Sequence, residues 1–244
     1  MSAIALEWHD AVKQVRPFIF RITTPVGSGT GFLVSHSESG GICSVATAAH
    51  VVSHANDWGQ WIKLEYFSTK QSLIPDLKQS IMLRPDNRAI LIDQNRDTAA
   101  IVFNVGTLDL PKDPPELIEE GKFIKVGVEV GWMGFPALSP NNLCFFSGRI
   151  SCNLESESAY LIDGVAINGV SGGPTIWLLY DHVRYIGVVS AYIPNRATGE
   201  SLPGLAVVRD VAQFQELIKH FKSVDEARRE QQAQQQQIQQ ELPE

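Results

Sequence analysis

Ser171 lies in Asn168-Gly169-Val170-Ser171-Gly172-Gly173-Pro174, a hydroxyl set among glycines whose backbone N–H groups can approach a reacting carbonyl. A serine hydroxyl is a poor nucleophile at neutral pH. It needs a base within hydrogen-bond reach, and the base needs a partner that holds its tautomer. Two upstream segments supply such groups. Ser44-Val45-Ala46-Thr47-Ala48-Ala49-His50-Val51-Val52 places His50 after a short β-prone apolar run, and Arg96-Asp97-Thr98-Ala99-Ala100-Ile101-Val102 places Asp97 before another. Singly, each has a plain reading: a Ser-Gly-Gly-Pro turn, a histidine at a strand end, an aspartate in a turn. Jointly they point to acyl transfer, with Ser171 as nucleophile, His50 as general base and Asp97 as its orienting partner.

The elements that must position these residues are mostly short strands. Ile4, Trp8, Val12 and Val15 recur at spacings of one helical face, predicting a helix that ends before Arg16-Pro17. Strand signals follow at Phe18 to Ile22, Gly31 to Ser35, Ile42 to Ala46, Trp61 to Phe67, Ser80 to Leu83, Ala89 to Asp93 and Thr98 to Phe103, separated by Gly, Pro, Asn and Asp. Residues 104–121 contain Pro111, Pro114, Pro115 and several acids, and read as a linker. A second block of strand signals covers Phe123 to Val126, Glu129 to Gly134, Cys144 to Cys152, Tyr160 to Ile162, Thr175 to Leu179, Arg184 to Ala191 and Gly204 to Val208. Asp210, with Gln213 as a capping-box partner, opens a helical pattern through Val211, Phe214, Leu217, Ile218 and Phe221. Residues 223–244 are dominated by glutamine and read as a polar tail, a frayed helix or a linker.

In chain order the three candidates run His, Asp, Ser. Unrelated folds carry this triad in different orders, and this one belongs to the chymotrypsin-type double barrel. With these segments, Gly27-Ser28-Gly29-Thr30-Gly31-Phe32-Leu33-Val34, Val130-Gly131-Trp132-Met133-Gly134-Phe135-Pro136 and Ile186-Gly187-Val188-Val189-Ser190, the chain resembles the trypsin/chymotrypsin clan of serine proteases. Within it the nearest branch is the bacterial HtrA-like one, here without a PDZ domain. The resemblance implies an all-β fold: a chymotrypsin-like double six-stranded antiparallel β-barrel with N-terminal and C-terminal helices. The expected division is an N-terminal helix at 1–16, first barrel at 17–103, linker at 104–121, second barrel at 122–209, C-terminal helix at 210–222 and glutamine-rich tail at 223–244.

Site roles implied by the resemblance follow position by position. The oxyanion donors are the N–H groups of Gly169 and Ser171. Ser190 supports Asp97, and Ser190-Ala191-Tyr192 is the edge against which substrate backbone pairs. Val165 and Asn168 fall at the specificity pocket, where Val165 gives a basic side chain nothing to pair with and Tyr192 narrows the entrance. Small or medium aliphatic side chains are therefore expected before the cleaved bond. Val170 stands where relatives place the acid that receives a freed N-terminus, which argues against zymogen-type activation. Without that ion pair, a glycine-containing loop can leave the Gly169 N–H pointing away from the site, so weak basal turnover is expected, rising when substrate, a partner or self-association biases the loop toward the competent geometry.

Composition bounds the partners. The chain has 244 residues with 44% apolar content, enough to bury a substantial core, and a net charge of −7 that disfavours nucleic acid and acidic lipid surfaces. No segment reaches the roughly 18 apolar residues of a spanning helix. Cys43, Cys144 and Cys152 are odd in number and read as small apolar residues, so a disulfide-stapled secreted protein is not expected. His50 and His54 have a spacing that a metal uses on a helix, but the intervening Glu of a zinc protease is missing, and no metal or cofactor is expected. The reading is a cytoplasmic serine endopeptidase acting on polypeptides through an acyl-enzyme. Its alternatives are a catalytically incompetent, protease-derived binding module, or the protease module of a larger assembly whose partner or second copy engages the glutamine-rich tail.

Overall fold

The computed structural model describes residues 6–37, 41–67, 78–106, 108–194 and 201–241. Helix α1 (Trp8–Val15) ends where Pro17 enters a 3₁₀ turn. Its Ala11 and Val15 are buried, and the Trp8 ring packs 5.3 Å from Phe145 while its indole N–H donates to Glu129. The expected position Ile4 lies outside the described residues.

Seven antiparallel strands form the first sheet: β1 (Ile19–Thr24), β2 (Gly27–His36), β3 (Ile42–Thr47), β4 (Ile62–Phe67), β5 (Lys78–Leu83), β6 (Arg88–Asp93) and β7 (Thr98–Asn104), in the spatial order β5-β4-β1-β2-β3-β7-β6. Helix α2 (Ala49–Asp57) follows β3. The second sheet comprises β8 (Glu116–Leu117), β9 (Glu129–Gly134), β10 (Cys144–Leu154), β11 (Ala159–Asp163), β12 (Pro174–Leu179), β13 (His182–Pro194) and β14 (Ser201–Asp210), followed by α3 (Ala212–Glu241). Strands β9-β10-β11 and β12-β13-β14 are two three-stranded meanders; pairings β9–β12 and β11–β14 close them into a six-stranded ring. The first sheet curls into a half-barrel, with no pairing between β5 and β6 among the described residues. The architecture is the chymotrypsin-like double barrel.

Period-two alternation explains how the halves join. On β1 and β2, Phe20, Ile22 and Leu33 point into the first sheet's own core, whereas Ile19, Phe32 and Val34 join the core of the second. Both faces of β2 are therefore covered, and Thr30 to Ser35 are all buried. Aromatic pairs bridge the halves: Phe32 lies 4.6 Å from Tyr185, and Phe67 stacks 6.4 Å from Phe135.

Several elements differ from the sequence reading. Phe123 to Val126 form no strand; Phe123 packs its ring 5.3 Å from Tyr160 from an irregular segment. The proline-rich connection contributes β8, which pairs in parallel with Arg184 and Tyr185 of β13. Asp210 Oδ1 caps the first turn of α3 by accepting the Ala212 N–H at 2.8 Å, but Gln213 Oε1 is buried without a partner, so the capping box is half made. Helix α3 does not stop at residue 222 but runs unbroken to Glu241. Val211, Phe214 and Phe221 anchor its start in the core, and glutamine, a good helix former, propagates a helix once packed turns have nucleated it.

Candidate active site

The registers of β3 and β7 bring the first two candidates together. Thr47 pairs with Ala99, so His50, three residues beyond one, and Asp97, two before the other, emerge from the same end of neighbouring strands. Asp97 closes the β6–β7 turn at φ +50°, a left-handed conformation that aspartate tolerates better than most residues. Its carboxylate meets His50 Nδ1 at 2.9 and 3.0 Å and accepts the His50 backbone N–H at 3.0 Å. That second contact has a structural use. Helix α2 starts after Ala48, which has no capping side chain, so Asp97 supplies the missing acceptor to its first turn. Ser190 Oγ, 3% exposed, donates to Asp97 Oδ2 at 2.6 Å. Burial by itself would raise the Asp97 pKa, but the hydrogen bonds from the His50 ring, Ser190 hydroxyl and His50 N–H together hold its carboxyl below the ordinary range.

Ser171 sits in the connection between the two meanders of the ring. Gly172, at φ +86°, lies so close to Thr30 O and Thr47 Oγ1 that any Cβ would collide with both. This contact presses the serine loop against the segment leading to His50. Gly172 N–H donates to Val189 O at 2.7 Å, Val189 N–H to Gly173 O at 2.9 Å, and Thr30 N–H to Ser171 O at 2.8 Å. No hydrogen bond joins Ser171 Oγ to His50 among the described residues; in unliganded sites this bond is commonly long and tightens with substrate.

The loop before the serine is tied more firmly than Val170 led the sequence reading to expect. Ala137 N–H donates to Asn168 O at 2.7 Å, Val170 N–H to Ile167 O at 3.1 Å, and the Thr30 hydroxyl to Gly169 O at 2.8 Å. Gly169 adopts φ +92°, where a side chain would also strike Phe135 O. Val170 is wholly buried in the second core, so an apolar anchor stands where an ion pair would otherwise be. By contrast, the Gly169 and Ser171 N–H groups donate to nothing among the described residues.

Val165 is 42% exposed and Asn168 is exposed, both on the connection that carries Ser171. Beneath Val165 lies Trp132, fully buried, whose indole N–H donates to Val165 O at 3.2 Å and whose ring occupies the space a side chain at Gly164 would need. β12 pairs with β13 only as far as Val188, so from Ser190 to Pro194 that edge of β13 has no strand partner among the described residues. Ala191 and Tyr192 continue β13 opposite Val207 and Ala206, but their side chains lie outside the described set. His54 pairs with Gln60 Oε1 at 3.2 Å, and all three cysteines are free thiols.

Sequence reasoning missed Thr30 and Trp132. Thr30 was signalled by its place between Gly29 and Gly31 on a strand that must be covered on both faces; Trp132 was signalled by the small residues Gly131 and Gly134 around it.

The chain matches no protein-family model and no curated relative. Its fold is similar to that of Deg5 (19% identity, TM-score 0.61, covering 86% of this chain and 94% of that one). It is also similar to the serine endoprotease from Yersinia pestis (16% identity, TM-score 0.60, covering 89% and 67%). Rv3671c from M. tuberculosis H37Rv, in an inactive serine-to-alanine form, matches at 20% identity and TM-score 0.55, covering 87% and 90%. The fold is that of the chymotrypsin-like, HtrA-like serine proteases.

Proposed function

We propose that this chain is a serine endopeptidase. The observation that carries the reading is the hydrogen-bonded run Ser190–Asp97–His50, pressed against a serine loop whose flanking carbonyls are tied and whose Gly169 and Ser171 N–H groups are free to bind an oxyanion. In the proposed reaction, Ser171 Oγ attacks the substrate carbonyl carbon and passes its proton to His50 Nε2. The C–O bond forms as the carbonyl π pair moves onto oxygen, where the two N–H groups stabilise it. Collapse breaks the C–N bond, and the amine leaves with the proton from His50. Water repeats the sequence on the acyl-enzyme, releasing the acid and restoring Ser171.

Substrate would add a strand along the free edge of β13 from Ser190. Trp132 under Val165 makes the floor of the proposed specificity pocket apolar and shallow, which favours Val, Ala, Ile or Leu before the cleaved bond. Three free thiols accord with a reducing, cytoplasmic setting. No helix among the described residues is long and apolar enough to cross a membrane. Reaction with a fluorophosphonate tests the reading: Ser171 alone should be labelled, and Ser171→Ala should abolish labelling together with peptide hydrolysis. A wild-type protein inert to both would leave the binding-module reading in its place.

A further inference from the structure

Thr30 belongs to the first sheet, yet it stands on the same face of β2 as Phe32 and Val34, which point into the second core. It has no exposed surface, and every polar group it carries is used across that boundary or beside it. Its N–H donates to Ser171 O at 2.8 Å. Its hydroxyl donates to Gly169 O at 2.8 Å and accepts the Phe135 N–H at 3.0 Å. Its own carbonyl accepts from Thr47 Oγ1 at 2.7 Å.

We infer that Thr30 is a positioning residue that sets the oxyanion-binding geometry by pinning the peptide between Gly169 and Val170. The inference rests on the serine hydrolase reading of the site. A peptide unit is planar, so holding one carbonyl orients the whole unit. The Gly169–Val170 unit is the middle plane of the short path from the Gly169 N–H to the Ser171 N–H. The direction of the first donor relative to the second therefore depends on it. Thr30 grips this path by its side chain at Gly169 O, and by main chain it holds Ser171 O on the unit just beyond the path. Ala137 holds the preceding unit through Asn168 O, and Ile167 O accepts the Val170 N–H at the other end of the same unit that Thr30 grips. Glycine at 169 resists rotation very little by itself. The hydroxyl of Thr30 replaces that missing stiffness and acts through the loop without touching the reacting atoms.

The role requires a donor that is also an acceptor, since Gly169 O and the Phe135 N–H must both be satisfied in a dry interface. Serine can do this. Valine, of the same shape, can do neither.

The test compares wild type, Thr30→Val, Thr30→Ser and Thr30→Cys, with three readouts: kcat and KM on a peptide with valine before the cleaved bond, the rate of fluorophosphonate labelling, and affinity for a peptidyl boronic acid whose oxygen occupies the oxyanion site. Thr30→Val should lower kcat and labelling by about 10² to 10³-fold, the range for one misplaced oxyanion donor, with KM within about twofold. Boronic acid affinity should fall in parallel. Binding of the uncleaved peptide, measured in a Ser171→Ala background with and without Thr30→Val, should not change. Thr30→Ser should restore all three readouts. Should Thr30→Val fail to fold, Thr30→Cys, with a thiol that donates weakly, carries the test with an intermediate loss.

Wild-type kcat in Thr30→Val, or a joint loss of kcat and peptide binding that serine does not rescue, overturns the positioning role and leaves the hydrolase reading standing. A wild type that neither labels nor hydrolyses overturns the hydrolase reading, and the role of Thr30 with it.

Discussion

The two halves of the candidate site are built in different ways. His50 and Asp97 come from one sheet, from the ends of adjacent, paired strands, and their hydrogen bonds are fixed by the register of β3 on β7. The serine loop is held from elsewhere: Thr30 reaches it from the first sheet, Ala137 from the turn after β9, and Val189 from β13. The contact between His50 and Asp97 thus lies within one sheet, with Ser190 reaching Asp97 from β13 of the other. The proposed oxyanion geometry depends on the docking of both sheets, so mutations at the interface between them should injure the proposed nucleophile and spare the proposed base.

The strongest test of that contrast removes one member from each half. Ser171→Ala and His50→Ala should each reduce kcat by about 10⁴-fold or more, because such residues act as a unit. Asp97→Asn should approach the same loss, about 10³ to 10⁴-fold, through the wrong His50 tautomer. Steady-state kinetics on one peptide substrate checks all three, and a first-sheet residue that proves dispensable would break the symmetry of the two halves. Next in size is specificity. Peptides with Lys or Arg before the cleaved bond should be cut at least about 10²-fold less efficiently than those with Val or Leu, since an apolar floor over Trp132 leaves a cation unpaired. A peptide-library profile dominated by basic residues would relocate the pocket.

Smaller effects separate support from chemistry. Ser190→Ala removes a charge-assisted hydrogen bond to Asp97 and should lower kcat by only about tenfold, with KM unchanged. The smallest signal is in stability against pH. Because the Asp97 pKa is held below its ordinary value, its ionised form stabilises the fold above the ordinary carboxylate pKa of about 3.9, and that contribution fades as pH falls through the lowered value. Denaturant unfolding of wild type and Asp97→Asn should therefore show a gap that is constant at neutral pH and narrows below about pH 4. A gap that widens in acid would mean that His50 and Ser190 do not stabilise the charged carboxylate.

Much of this architecture is legible in the residues, and the reason is local. Short β-prone runs bounded by turn residues, such as Glu129 to Gly134 and Thr98 to Phe103, reproduce the observed strands within a residue or so, because these signals act strand by strand. The nearness of His50 to Asp97 is also readable, since one follows a strand signal and the other precedes one. What the sequence conceals is non-local. Glu116–Leu117 carries no strand signature of its own and becomes β8 only because β13 offers it a partner. Thr30 reads as one more β-prone residue until the second sheet covers its face. Val170 reads as a missing acid, whereas in the fold it is an apolar anchor. The glutamines after residue 222 lack periodicity, and their helix is inherited from the packed turns before them.

The ring of the second half also has a history in folding. Each of its meanders pairs strands that are close in sequence and can form early, whereas the seams β9–β12 and β11–β14 join residues far apart and pay loop-closure entropy first. Residues 164–173 are the single link between the two meanders, and they carry Val165, Gly169 and Ser171. The loop carrying Ser171 thus has its full surroundings only once both seams are closed, and a chain with formed meanders but open seams would lack them.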